Sequence, residues 1–198
     1  MTRRSFALAA LPLIAFLTGA CATSGRNFQR PEAGTLLLGK TTEAEIRDRF
    51  GEPRGVSVRT MNEKVVTQLQ YSYAEARGYV EKISTRSCVF AFSDGVLVGH
   101  DYSSSFSDDK TDFDESVAHR IKRFETTAAE VVALIGSPTG EAIYPVAKAK
   151  DGKLYRYSYS RTDKNPLDGR RQPTRSKILV IEVDASGIVT DVSLNSQQ

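Results

Sequence analysis

Alternating apolar and polar residues predict that most of the chain forms β-strands. The segments "LQYSY" (69–73) and "LYRYSYS" (154–160) place Tyr or Leu at every second position, which is typical of strands with one buried face. The segments "CVFAF" (88–92) and "LVIEV" (179–183) alternate in the same way. Each continues through a turn, "SDG" or "DASG", into a further strand, "VLVGHDY" or "IVTDVSL". These turns predict two antiparallel hairpins.

A short helix is predicted before each set of strands. In "TTEAEIRDRFGEP" (41–53), Thr42 and Glu45 have the spacing of a capping box, and Gly51 followed by Pro53 ends the helix. The segment "TTAAEVVALIGSP" (126–138) repeats these features, with Thr127 and Glu130 as its capping pair. A helix of two turns is marginal alone, so we expect each to dock its apolar face on the following sheet.

The recurrence of this helix and strand order predicts an α+β fold built from two tandem repeats. Each repeat is expected to pack a short helical segment on a three- to four-stranded antiparallel sheet, over residues 35–102 and 119–198. Residues 103–118 contain five acids and little apolar content, which favours an acidic linker between the repeats. The spacing of these acids does not match an EF-hand calcium loop.

The first twenty residues have the pattern of an export signal. Arg3 and Arg4 precede an apolar run (6–17) that is too short to cross a bilayer, and small residues then lead to Cys21. We therefore predict a signal peptide over residues 1–20, a lipidated Cys21, and a polar tether over 21–34. The alternative is an ordinary secreted protein in which Cys21 is incidental. The paired arginines fit a twin-arginine signal as well as a general secretory one.

Charge and composition narrow the classes of partner. The chain is 40% hydrophobic and 26% charged, as in globular proteins. Its formal charge of +3 falls to +1 once Arg3 and Arg4 are removed with the signal. No nucleic-acid-binding motif is present, so no nucleic-acid partner is expected. The membrane is expected to be a partner through Cys21.

The order of these segments resembles the SmpA/OmlA (BamE-like) lipoproteins, a small-subunit type of the outer-membrane β-barrel assembly machinery. The resemblance rests on "LLLGKTTEAEIRDRFGEP", "YSYA" and "FAFSDGVLVG", most of which recurs in the second half. The second half departs from it by having Arg123 and Phe124 where the first has a Gly before its Thr pair. The tandem arrangement also resembles the fold of the β-lactamase-inhibitor proteins (BLIP-like). The resemblance implies an outer-membrane lipoprotein that faces the periplasm and binds other envelope proteins, and Ala22 after the Cys implies outer-membrane sorting.

The residues offer little for catalysis, and we predict no enzyme activity, no cofactor and no metal. Only His100 and His119 are present, and both are expected to be surface or edge residues. His100 and Asp101 are adjacent on a strand and should point to opposite faces, so they would not form a catalytic pair. Cys88 aligns with Leu179 of the second repeat and is predicted to be a core residue.

Binding is expected on the sheet face opposite the helices. That face would display Gln68, Gln70, Ser72, Val89 and Ala91 in the first repeat, and Arg156, Ser158, Ile178, Val180 and Glu182 in the second. The strand with Ile178 and Val180 is apolar on both faces, so either another part of the chain covers it or a partner does. The Arg-rich insertion at 160–175, with Arg170 and Arg171, suggests contact with anionic lipid or an acidic partner.

These observations favour a non-enzymatic lipoprotein that docks on an outer-membrane protein complex. The alternative is a BLIP-like inhibitor or sensor that binds one periplasmic enzyme.

Overall fold

The computed structural model describes residues 22–32, 34–76, 82–163 and 174–197. Within them the chain is mostly antiparallel strand with two short α-helices, as the pattern predicts. The helices are α1 (Glu43–Phe50) and α2 (Ala128–Ile135), and two 3₁₀ turns cover Ser107–Asp109 and Glu115–Arg120. The strands are β1 (Ala22–Ser24), β2 (Gly55–Met61), β3 (Lys64–Ala76), β4 (Lys82–Ser93), β5 (Val96–Ser104), β6 (Gly140–Ala142), β7 (Lys153–Asp163), β8 (Arg175–Val183) and β9 (Val189–Gln197).

The strands of both halves belong to one continuous sheet. Its order is β1-β3-β4-β5-β6-β7-β8-β9, and β2 pairs with the same edge of β3 as β1 does. The three-residue strand β6 joins the halves by pairing with β5 on one side and β7 on the other. At their far ends β4 and β7 also pair directly.

The predicted capping boxes are present at both helices. In α1, the Thr42 hydroxyl accepts from the Glu45 amide at 3.3 Å, and the Glu45 carboxylate accepts from the Thr42 amide at 2.7 Å. Thr127 and Glu130 form the same pair at 3.2 and 2.7 Å. Each pair satisfies two of the amides that a helix start leaves free.

A tyrosine from each predicted strand holds the C-terminal end of a helix on the sheet by a hydrogen bond. Tyr71 donates a hydrogen bond to the Gly51 carbonyl at 3.0 Å, and Tyr157 donates to the Gly136 carbonyl at 2.9 Å. Both tyrosines are buried beneath their helix. Their burial agrees with the buried strand face that the alternating pattern predicts.

Each helix covers its own apolar cluster. Under α1 the cluster contains Ile46, Phe50, Leu69, Phe90 and Tyr102, and under α2 it contains Val131, Leu179, Ile181, Val183 and Val189. Cys88 is 0% exposed within the first cluster, and burial raises the pKa of its thiol well above the ordinary value. Its prediction as a core residue is confirmed.

The residues expected to form a tether are instead packed on the sheet. Strand β1 pairs with the end of β3, and the backbone of Gly25 lies so close to the Ser72 carbonyl that a side chain would not fit. Phe28 makes edge contacts with Phe50 and Tyr102, with centroids 6.1 and 6.2 Å apart. Because the segment is otherwise polar, its sequence did not predict that Phe28 packs against the core.

The predicted acidic linker, residues 103–118, also packs against both halves. Asp109 forms a two-pronged ion pair with Arg86 at 2.7 and 3.1 Å, and it accepts from Tyr102 and Ser104 at 2.8 and 2.6 Å. Burial opposes the charged form, but these hydrogen bonds outweigh it and lower the pKa of Asp109. Further along, Phe113 joins the second apolar cluster beside Tyr157.

The predicted insertion at 160–175 is in part regular structure. Strand β7 runs to Asp163 and β8 begins at Arg175. Residues 164–173, including Arg170 and Arg171, lie outside the described part of the chain, as does Cys21. Among the helices that the structure describes, none has the length and apolar character needed to cross a membrane.

Candidate functional site

The face of the sheet opposite the two helices carries a groove. Its cavity volume is about 260 Å³. Six neighbouring strands, β2 to β7, contribute to its walls and floor. The lining includes polar side chains and an apolar floor: Arg59, Gln68, Gln70, Asp101 and Arg156, with Val89, Ala91, Gly99, Ala142, Val146 and Leu154.

The sheet is strongly curved around this groove. Arg59 lies on β2 and Arg156 on β7, five strand spacings apart in the sheet order. In a flat sheet, five spacings of about 4.8 Å would separate those strands by about 24 Å. Both residues nevertheless line one groove of 260 Å³. The open face is therefore concave.

Small residues at the centre of the sheet make this geometry possible. A Cβ atom on Gly140 would lie 2.3 Å from the His100 carbonyl oxygen, and one on Gly99 would lie 2.8 Å from the Ala142 Cβ. Larger side chains at these positions would push β6 away from β5. The glycines mark a close approach of backbones, as glycine in a strand often does.

The missing side chain of Gly140 also allows an ion pair across the junction. Asp101, Gly140 and Arg156 are in register on three successive strands. An Arg156 nitrogen lies 3.4 Å from Asp101 Oδ2, and the Ser158 hydroxyl lies 2.9 and 3.1 Å from the two carboxylate oxygens of Asp101. Burial raises the pKa of Asp101, while Arg156 and Ser158 act in the opposite direction.

Two buried polar atoms on this face have no hydrogen-bond partner among the described residues. They are Nε of Arg156 and Oγ of Ser57. Ser57 pairs in register with Gln68 and points to the same face. An unsatisfied buried polar group costs about 1–3 kcal/mol. Of the two, Arg156 belongs to the groove lining, and the described chain leaves its Nε without a partner.

The segment 143–152 closes one end of the concave face. The Asn62 amide donates to the carbonyls of Pro145 and Ala147 at 3.0 and 3.2 Å, and Tyr144 donates back to the Asn62 carbonyl at 2.6 Å. Ile143 and Val146 pack on an apolar cluster formed by Val66, Ala91 and Val98. The turn between β2 and β3 is thereby fixed to the second half of the chain.

This arrangement brings only some of the predicted binding residues into the groove. Gln68, Gln70 and Arg156 come together in the groove. Val180 packs on the buried cluster of Ala142, Ala147 and Leu154, so the chain itself covers part of the strand that is apolar on both faces. Ile178 remains 38% exposed.

Three residues expected on the open face are buried instead. Ala91 lies in the cluster beneath segment 143–152, and Ser158 is bonded to Asp101. Glu182 accepts a hydrogen bond from the Lys148 amide at 3.3 Å, and burial raises its pKa. The strand pattern correctly gave the face of these residues but not the segment that covers it.

The two histidines differ in how far their positions agree with the prediction. His119 is exposed, as expected. His100 is partly buried and does not lie on an edge strand, because β5 is an interior strand of the sheet. Burial and the nearby positive charge of Arg30 lower the pKa of His100 to about 4. His100 is in register with Phe90 and Asp101 with Val89, so the two adjacent side chains point to opposite faces, as predicted.

The groove contains no nucleophile with a paired base among its lining residues. Within the described ranges, no group of three or more His, Cys, Asp or Glu side chains is placed to hold a metal ion. Sequence reasoning missed Arg59 and Asp101 as groove residues. Gly140 and Gly99, two glycines within predicted or adjacent strands, were the signal that backbones approach closely there.

Comparison with known proteins gives one structural likeness. No protein-family model matches the chain, and no curated protein matches it. The fold is similar to a crystal structure described as a "putative beta-lactamase inhibitor protein" from Streptococcus mutans, at 12% sequence identity and a TM-score of 0.41. The match covers 78% of this chain and 82% of the other.

Proposed function

We propose that this protein is a non-enzymatic lipoprotein of the outer membrane that faces the periplasm and binds a protein partner through the concave groove. The observation that supports this is the groove itself. It combines an apolar floor with uncommitted hydrogen-bonding groups, which is the composition of a binding surface. The resemblance to SmpA/OmlA lipoproteins suggests a role in envelope integrity or in the assembly of outer-membrane proteins.

We also propose that the chain arose as two copies of one unit. Equivalent hydrogen bonds in the two halves support this. The Gly39 amide donates to the Leu97 carbonyl, and the Phe124 amide donates to the Val189 carbonyl, both at 2.7 Å. Gly39 and Phe124 both have positive φ, +76° and +63°. A non-glycine residue in this conformation is uncommon, so Phe124 retains the backbone geometry without the favoured residue.

Lipidation at Cys21 would hold the folded body directly at the bilayer. Ala22, the next residue, is already paired with Ala76 in the sheet. Consecutive Cα atoms are about 3.8 Å apart, so little free chain would separate the anchor from the end of β1. The proposal therefore gives the protein a fixed orientation, with that end of the sheet toward the membrane.

Membrane fractionation combined with crosslinking in intact cells tests both parts. The wild-type protein should fractionate with the outer membrane and yield a crosslinked envelope protein. The Cys21→Ser variant should appear in the soluble periplasmic fraction. Fractionation of both proteins in the soluble pool would contradict the anchor, and absence of any crosslinked protein would contradict the binding role.

The concavity of the groove also favours a second function, inhibition or sensing of a periplasmic enzyme. Convex surfaces of globular enzymes fit such a face. In this case the same crosslinking would capture one soluble enzyme in a stoichiometric complex. Recovery of barrel-assembly components would support the first function instead.

A further inference from the structure

We propose that the occupant of the concave groove is an extended acidic segment of the partner protein, whose carboxylates bind Arg59 and Arg156. This inference rests on the proposed binding function and specifies the chemistry of its partner. It follows from the charges of the groove, the spacing of its side chains and the unused donors described above.

The charges that line the groove leave a net positive surface. Asp101 is the one acid among the described lining residues, and Arg156 and Ser158 already bind it. Arg59 is exposed and forms no ion pair with any described residue. The Nε of Arg156 has no hydrogen-bond partner there, although another nitrogen of the same guanidinium faces Asp101. A carboxylate is the acceptor that an arginine fork best accommodates.

The spacing of the lining residues favours an extended chain. Gln68 and Gln70 lie two residues apart on β3, as do Val89 and Ala91 on β4. Residues two apart on one strand repeat every ~6.6–6.8 Å on the same face, which is also the side-chain repeat of an extended peptide. Such a segment would place aliphatic side chains on the Val89 and Leu154 floor and carboxylates at the arginines.

The inference is tested by binding two fluorescein-labelled peptides to the purified protein. One has Glu and Val in turn at every second position, with Ser between them (Glu-Ser-Val-Ser-Glu-Ser-Val-Ser-Glu-Ser), so that both side chains face the groove in an extended chain. The other has Gln in place of each Glu. The protein is used as wild type, as Arg59→Glu, and as the matched control Arg120→Glu. Arg120 is exposed, lies outside the groove lining, and its reversal changes the net charge by the same amount.

We expect the acidic peptide to bind at least about tenfold more tightly than its Gln counterpart, because it gains charge-assisted contacts. Arg59→Glu should weaken the acidic peptide about tenfold or more, since attraction becomes repulsion. Arg120→Glu should leave its affinity unchanged. Amide shifts at Gly99 and Ala142 should locate the peptide on the floor of the groove.

Several results would overturn the inference. They are equal binding of the two peptides, equal effects of both charge reversals, or amide shifts confined to residues outside the groove. Capture of the protein by phosphatidylglycerol vesicles that depends on Arg59, without peptide binding, would also overturn it in favour of a lipid surface.

Crosslinking in cells separates this inference from the proposed function. A partner that crosslinks to the groove equally well in wild type and Arg59→Glu would support the binding function and contradict the acidic occupant. Preferential binding of the acidic peptide in solution, with no envelope protein crosslinked in cells, would support the acidic occupant and contradict the proposed binding function.

Discussion

Replacement of His100 by Gln should remove much of the acid sensitivity of the fold. The pKa of His100 falls from an ordinary value of 6.5 to about 4, first because the side chain is buried and second because Arg30 lies near it. The unfolded chain therefore binds a proton at mildly acidic pH that the native chain excludes. Stability from this group is complete above pH 6.5 and is lost as the pH falls toward 4.

The magnitude follows from these two pKa values. Between pH 7 and pH 5, exclusion of the proton costs the native state about 2 kcal/mol. Urea unfolding of wild type at the two pH values should show this loss, superimposed on contributions from other groups. His100→Gln should reduce the loss by about 2 kcal/mol. An identical pH dependence in wild type and His100→Gln would refute the assignment of His100 as a neutral histidine in the native state.

Three further predictions concern stability and reactivity. Asp109→Asn should cost about 1–3 kcal/mol of unfolding free energy, because it leaves the half-buried Arg86 guanidinium without its counter-charge. Chemical denaturation of the exposed Asp108→Asn variant should match wild type. Gly39→Ala should lower Tm, because Ala raises the energy of a backbone with positive φ by about 1 kcal/mol. Phe124→Gly should raise Tm, because Gly relieves a similar strain. Cys88 should resist a thiol reagent in the folded protein and react once urea is added, and rapid stoichiometric labelling without urea would contradict its burial.

The helix caps, turns and buried strand faces of this fold could be predicted from the sequence, because each is encoded within a few residues. The capping pair of Thr42 and Glu45 and the Asp94–Gly95 turn depend on neighbours at fixed spacing. The burial of Cys88 followed from the two-residue period of a strand. Such signals describe a segment and its buried face, and the structure agrees with them.

Contacts between distant segments were not predictable in the same way. Phe28 and Phe113 are single apolar residues in polar surroundings, and nothing nearby in sequence reveals which core receives them. The burial of His100 depends on whether β5 is an edge or an interior strand, and that is decided by the pairing of β6. Segment 143–152 covers the open face through carbonyls that bind Asn62, more than eighty residues away in the chain.

Some residues of the candidate site could likewise be predicted from the sequence, and others could not. Gln68, Gln70 and Arg156 were predicted because strand alternation places them on the face opposite the helices. Arg59 and the ion pair with Asp101 were not, because they depend on the curvature of the sheet and on the absence of a side chain at Gly140. A linear pattern gives the side of a sheet on which a residue lies, but not how far that sheet curves.

Site-specific photo-crosslinking in intact cells is the most direct test of the concave groove as the partner surface. A photoreactive amino acid is placed at Gln70, an exposed residue of the groove, and in a separate strain at Asp48, an exposed residue of α1 on the other face. We predict a discrete crosslinked envelope protein from position 70 and none from position 48. A partner that crosslinks at position 48 and not at position 70 would contradict the assignment of the groove.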